Sequence, residues 1–121
     1  MPISRSRSER FDDLVLDAVE RLEQRWEAQL RDLEVAVEDV PPGDPPPDAL
    51  EPVLLGRAFP ATRAHPPRIV VYRRPVELRA DDDRELAELV HDVVVEQVAE
   101  LLGLDPSAVD PRYRGGADDE D

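Results

Sequence analysis

Apolar residues recur at helical spacing near the start of the chain. The stripe that they form consists of Phe11, Val15, Ala18, Leu22 and Trp26. Ser6 and Glu9 precede it with the spacing of a capping box, which closes the first turn of a helix. The pattern predicts an amphipathic N-terminal helix that packs on a sheet, with Trp26 as part of its core face rather than as a ligand-stacking ring.

A second helical pattern occupies the end of the chain. Asp82 has the position of an N-cap with Glu85 three residues later, and Gly103 follows the last turn. The predicted apolar face of this helix consists of Leu86, Val90, Val93, Val94 and Leu101. Gln97 falls among these residues, and a polar side chain there is costly to bury without partners.

Two interpretations of that helix face stay open. In the first, the face opens onto a cleft that Gln97 lines, with Glu96 and Glu100 on one side. In the second, Gln97 packs at the margin of the core while Asp92, Glu96 and Glu100, spaced four apart, form an ordinary solvated stripe.

Between the helices the pattern predicts two strands, residues 33–40 and 69–72, the second rich in β-branched residues. Residues 41–52 carry six prolines and are predicted to form an exposed loop. Residues 112–121 are predicted to be a disordered acidic tail. The chain is therefore interpreted as one domain, residues 1–111, followed by that tail.

Composition excludes several classes of function. The chain has 121 residues and a net charge of −14, which opposes binding to phosphate backbones, so nucleic acid is not an expected partner. No apolar run approaches the roughly 20 residues of a membrane span, and the N-terminus lacks the apolar segment of a signal peptide. We therefore expect a cytoplasmic protein without a membrane partner. The absence of cysteine excludes disulfides and thiolate metal sites.

Residues 95–105 resemble the zinc-binding helix of a small metallopeptidase, with other residues in place of its histidines. Such a helix carries His-Glu-x-x-His because residues four apart share a face, so two imidazoles meet one ion beside the Glu that acts as general base. In short zincins the motif continues to a glycine. Counting back from Gly103 places Glu96 and Glu100 at the histidine positions and Gln97 at the general base.

The order of elements strengthens this resemblance over roughly residues 9–110. The chain is similar to the minimal zincin-like metallopeptidases of actinobacteria and thermophilic bacteria. The resemblance implies an α+β fold in which a small mixed sheet packs against the N-terminal helix and the long motif helix. In that family the metal is zinc, and an acidic third ligand lies three residues after the glycine. Here that position is Pro106, with Asp105 one residue early and Asp110 four residues late.

These departures favour a catalytically inactive relative that retains a groove for a peptide or a protein partner, with no cofactor. Carboxylates suit harder ions than zinc, and Gln97 cannot take a proton from water near neutral pH. One alternative is a hydrolase using a non-zinc divalent ion held by Glu96, Glu100 and either Asp105 or Asp110. Another is an acidic interaction protein whose tail and loop meet a basic partner.

Three further residues or segments are candidates for such a site. Ile69–Tyr72 could bind extended peptide if it were a sheet edge. His65 could reach the cleft from its loop. His91 lies about 140° around the helix from Glu96, so the two cannot readily bind one ion. The oligomeric state is not predicted.

Overall fold

The computed structural model describes residues 6–43 and 54–115. Its elements in chain order are α1 (Arg7–Arg25), β1 (Glu34–Glu38), β2 (Gly56–Phe59), β3 (Arg68–Tyr72), α2 (Arg73–Arg79), α3 (Asp83–Leu102) and α4 (Pro106–Val109). Most of the Pro-rich loop and the last six residues of the predicted tail lie outside the described residues. No helix in the described ranges is long and apolar enough to cross a membrane.

Helix α1 confirms the first predicted helix. The Ser6 side chain accepts a hydrogen bond from the Glu9 amide at 3.1 Å, and the Glu9 carboxylate accepts one from the Ser6 amide at 3.0 Å. Both bonds of the capping box are therefore made. The buried face of α1 consists of Phe11, Val15, Ala18, Val19 and Leu22. Trp26 ends the helix, packs at the edge of the core and donates to the Val109 carbonyl at 2.9 Å, which confirms its structural role.

The three strands form one mixed sheet in the order β1-β3-β2. β1 is parallel to β3, while β2 is antiparallel to it. Both predicted strands are present, and β3 lies at the centre with Ile69–Tyr72 buried. This small mixed sheet with helices confirms the predicted α+β class. Helix α3 packs on the sheet, and α1, which was expected to lie against the sheet, packs chiefly on α3 instead. Strand β2 was not predicted, because Gly-Arg-Ala-Phe has little of the β-branched character of a strand.

Helix α3 begins and ends where its sequence signals indicate. Asp82 accepts from the Glu85 amide at 2.8 Å, but the Glu85 carboxylate accepts from the Asp81 amide, so only half of the predicted capping box forms. Gly103 ends the helix with φ of 68°, a left-handed conformation that favours glycine. On the same helix Asp92 is only 6% exposed, so the interpretation of Asp92 as part of a solvated stripe is wrong.

The chain after α4 packs back onto α3. The Arg114 amide donates to Asp92 at 3.2 Å, and the half-buried Tyr113 reaches Glu96. The folded part of the described chain thus continues to residues 112–115, past the boundary at 111 that composition suggests. The physical reason is that buried carboxylates on α3 and after α4 need donors, which this segment supplies.

Candidate functional site

The three motif positions lie in the second half of α3 and differ in exposure. Glu96 and Gln97 are half-buried, whereas Glu100 is exposed. Val93, Val94, Val95 and Val98 around them are buried, so this part of the helix is held between the sheet and α1. The motif region is therefore fixed by packing, and only its carboxylate side reaches solvent.

Glu96 is engaged by a residue that the motif does not contain. The Tyr113 hydroxyl donates a hydrogen bond to the Glu96 carboxylate at 2.5 Å. Partial burial raises the pKa of Tyr113 well above its ordinary value, and the bond to Glu96 raises it further. Tyr113 therefore stays protonated and remains a donor throughout the neutral range. No sequence pattern indicated this contact, because it depends on the return of the chain after α4.

Gln97 lies on α3 beside Gly56 of β2, at a close approach of the helix to the sheet. A Cβ added to Gly56 would stand 2.9 Å from the Val70 carbonyl oxygen, 3.1 Å from Val93 Cγ1 and 3.2 Å from Gln97 Cγ. Only a glycine fits at this approach without a shift of its neighbours. The aliphatic part of Gln97 is thus part of the helix–sheet contact, which supports the view that this side chain packs at the core margin.

Asp105, the nearest carboxylate to the expected third ligand position, caps α4. One of its oxygens accepts from the Ser107 amide at 3.0 Å and from the Ser107 hydroxyl at 2.7 Å. These two hydrogen bonds hold the pKa of Asp105 below its ordinary value. The side chain is exposed and its geometry is that of an N-cap.

The other candidate ligand, Asp110, is paired with His91. Asp110 is 5% exposed and accepts from the Arg112 amide at 2.9 Å, and its second oxygen lies 3.3 Å from His91 Nε2. That nitrogen makes no hydrogen bond of good geometry and is buried. Burial lowers the pKa of His91, and the neighbouring carboxylate of Asp110 opposes the shift only in part.

The candidate ligands do not form one donor set. Among residues 6–43 and 54–115, no three His, Asp or Glu side chains are grouped so that they could hold a metal ion. Two helical carboxylates, one of them already accepting from a tyrosine, also do not fit zinc, which favours imidazole and thiolate. His65 lies in an exposed turn, where its backbone amide donates a hydrogen bond to the Thr62 hydroxyl.

The sheet edge beside α3 belongs to β2. β3 is paired on both sides, so the hypothesis that Ile69–Tyr72 offers a free edge is wrong. Within the described ranges no strand pairs with the outer side of β2. The Tyr72 amide donates to the Leu55 carbonyl at 3.0 Å, and in an antiparallel ladder this alternation turns the backbone groups of Gly56 and Ala58 outward.

Comparison with known proteins adds one finding. The sequence model of the zincin-like metallopeptidases matches residues 30–116, from the end of the segment after α1 to beyond Tyr113. No curated protein matches the chain. The matched range contains the whole sheet, α3 and every candidate residue named above.

Proposed function

The chain belongs to the zincin-like metallopeptidase family, and we propose that it is a member without peptidase activity that binds an extended peptide along β2. The observation that carries the first half of this proposal is the hydrogen bond from Tyr113 to Glu96. The carboxylate at the first histidine position has one oxygen engaged by a structural tyrosine, which disfavours a role as metal ligand. The fold is retained while the zinc ligands and the general base of the motif are replaced, which supports a purpose other than zinc chemistry.

The remaining motif positions support the same proposal. Gln97 cannot act as a general base, because an amide does not accept a proton near neutral pH. Asp105 is used as the cap of α4. The alternative of a hydrolase with a non-zinc divalent ion needs Glu96, Glu100 and Asp105 or Asp110 at one ion, and their separate contacts do not favour it.

The outer edge of β2, with which no strand of the described ranges pairs, supports the proposal that the chain binds an extended peptide. The outward backbone groups of Gly56 and Ala58 can pair with an added strand. Phe59 is 39% exposed, with the Arg57 and Arg68 guanidinium groups 5.5 Å and 6.0 Å from its ring centroid. This platform adds an apolar face and positive charge to the edge, so we expect preference for extended peptides with apolar and acidic residues.

Metal content tests the absence of zinc chemistry. Untagged protein purified without chelator is analysed by plasma mass spectrometry, before and after incubation with excess zinc or manganese. We expect no stoichiometric metal. A matched variant with the motif rebuilt, Glu96→His, Gln97→Glu and Glu100→His, provides the positive control for zinc uptake. Stoichiometric metal in the natural chain would contradict the proposal.

Peptide selection tests the binding edge. A displayed library of heptapeptides is selected on the protein, and an enriched peptide is synthesised and its affinity is measured. Ala58→Pro removes the outward amide of β2 and should abolish binding, whereas Ala58→Val keeps the amide and should preserve it. Far-ultraviolet circular dichroism verifies that both variants fold. Equal binding by the two folded variants would place the peptide elsewhere.

A further inference from the structure

Two adjoining cavities lie between α1, α3 and residues 111–114, away from the outer edge of β2. Their volumes are about 310 Å³ and about 500 Å³, and both are lined by Arg21, Pro111 and Arg112. Because they share these three lining residues, we treat them together and call them the arginine cleft. Its size lies within the range of about 300–1,000 Å³ that is typical of binding sites in proteins.

Four arginines line this cleft. Arg21 and Arg25 come from α1, and Arg112 and Arg114 from the segment after α4. All four residues are exposed, and none forms an ion pair with a carboxylate of the described part of the chain. A protein with 29 acidic and 15 basic side chains thus places four of its arginines at one concave surface where no described carboxylate forms an ion pair with them.

The carboxylates of the cleft are directed to other partners. Asp92 accepts a hydrogen bond from the Arg114 amide, and Asp110 accepts one from the Arg112 amide. Each carboxylate is therefore bonded to a backbone N–H group rather than to a guanidinium group. Glu88 lies 3.7 Å from Arg84, which is outside the cleft. The planar guanidinium forks therefore keep their donors available, and their geometry matches carboxylates bidentately.

The sequence supplies such carboxylates shortly after the cleft. Four consecutive acidic residues, Asp118 to Asp121, begin four positions after Arg114. With at most about 3.3–3.6 Å per residue, they can reach points up to roughly 13–25 Å from Arg114. We propose that the arginine cleft is a binding site for a run of carboxylates and that Asp118–Asp121 of the same chain is its occupant.

Charge favours an occupant in the same chain over a separate one. A free acidic partner must approach a molecule of net charge −14, and the repulsion slows and weakens its association. A segment joined to Arg114 by a short linker has an effective concentration in the millimolar range. The contact should be electrostatic, so it should weaken as the screening length falls from about 10 Å at 0.1 M salt to about 3 Å at 1 M.

The first test uses a full-length variant with a neutral tail, Asp118→Asn, Asp119→Asn, Glu120→Gln and Asp121→Asn. Nuclear magnetic resonance compares the guanidinium and amide signals of Arg21, Arg112 and Arg114 with those of the natural chain. We expect different signals at low salt that converge near 1 M salt. The Arg63 signals, from the exposed loop before β3, serve as the control and should not change. Identical spectra of the cleft arginines at low salt would overturn the proposal.

The second test measures binding of a fluorescein-labelled peptide, Ala-Asp-Asp-Glu-Asp, by fluorescence anisotropy. The neutral-tail variant should bind it at least about tenfold more tightly than the natural chain, in which the tethered segment competes. Adding Arg21→Gln and Arg112→Gln to that variant should abolish binding, whereas adding Arg63→Gln should leave it unchanged. Equal affinity of the natural and neutral-tail chains, or no binding to either, would overturn the proposal.

Discussion

The Tyr113 hydroxyl is hydrogen-bonded to the Glu96 carboxylate, which joins the segment after α4 to the middle of the motif helix. Replacing Tyr113 by Phe removes the donor and leaves a half-buried carboxylate with one partner fewer. We expect the free energy of unfolding to fall by about 1–2 kcal/mol. Urea denaturation followed by circular dichroism measures this loss.

Glu100→Gln is the matched control for that variant, because Glu100 is an exposed carboxylate one turn further along α3. Its free energy of unfolding should stay within about 0.5 kcal/mol of the natural value. In a double-mutant cycle, Tyr113→Phe should cost little once Glu96→Ala, which removes the acceptor, is present. Additive losses in the cycle would show that the two side chains are not energetically coupled.

The close approach at Gly56 predicts the effect of a single methyl group. Gly56→Ala places a Cβ 2.9 Å from the Val70 carbonyl oxygen. This oxygen belongs to the backbone, which shifts less easily than the end of a flexible side chain. We expect a loss of about 1–3 kcal/mol in the free energy of unfolding from overpacking. Combining it with Gln97→Ala, which removes one of the crowded atoms, should recover only part of the loss. Full recovery would mean that Gln97, not the backbone, limits the approach.

Stability should depend on pH through His91. Its pKa is lower in the folded protein than the ordinary value of 6.5, because burial disfavours the charged ring. The unfolded chain therefore binds more protons as the pH falls from about 6.5 toward the lower folded pKa, and stability is lost over that window. Above pH 6.5 the contribution of His91 to the free energy of unfolding no longer changes with pH.

Thermal unfolding between pH 5 and 8 checks this dependence, with His91→Gln as the test variant and His65→Gln as the control. His65 is exposed in its loop, so its replacement should leave the profile unchanged. The His91 variant should lose the part of the slope that lies just below pH 6.5. An unchanged slope in that variant would assign the dependence to other groups.

Trp26 should contribute to stability through its ring nitrogen as well as its packing. Trp26→Phe keeps an aromatic ring but removes the donor to the Val109 carbonyl, which holds α4 against the end of α1. We expect a cost of about 1–3 kcal/mol from the orphaned carbonyl and the smaller ring. Hydrogen exchange of the amides in residues 106–110 should accelerate more than that of the amides in β3. Equal acceleration of hydrogen exchange in both regions would indicate that the substitution destabilises the whole domain instead.

Local signals were sufficient to predict much of this fold. Ser6 and Asp82 mark the starts of the two long helices because capping is a local interaction, and the apolar periodicity gives most of the buried face of α1. On α3 it gives only part of that face: Val90, Val93 and Val94 are buried as predicted, but Leu86 and Leu101 are half-buried. The further buried residues of α3, which periodicity did not predict, are Val95, Val98 and Ala99. Ile69–Tyr72 could be assigned as a strand from its β-branched residues, and the α+β class followed. The family resemblance, which rested on the residues around Gly103, agrees with the matched range of residues 30–116.

The features that sequence did not provide depend on contacts between distant segments. Strand β2 exists because β3 offers it a partner, and α2 begins at Arg73, whose guanidinium group binds Asp39 at 3.0 Å and Glu77 at 3.0 Å. The burial of Asp92 and the partner of Glu96 both depend on where the chain returns after α4. Periodicity on one helix carries no information about such a return.

The amides of Arg112 and Arg114 donate to the carboxylates of Asp110 and Asp92, both of which are nearly inaccessible to water. These two hydrogen bonds attach a segment with no regular secondary structure to buried carboxylates. The stability of the domain therefore depends on this segment. Cleavage by trypsin after Arg112 would detach Tyr113 and Arg114 and leave Asp92 without its donor. A single nick there should therefore expose the interior of the domain to further digestion, and resistance to trypsin would report the integrity of the whole molecule.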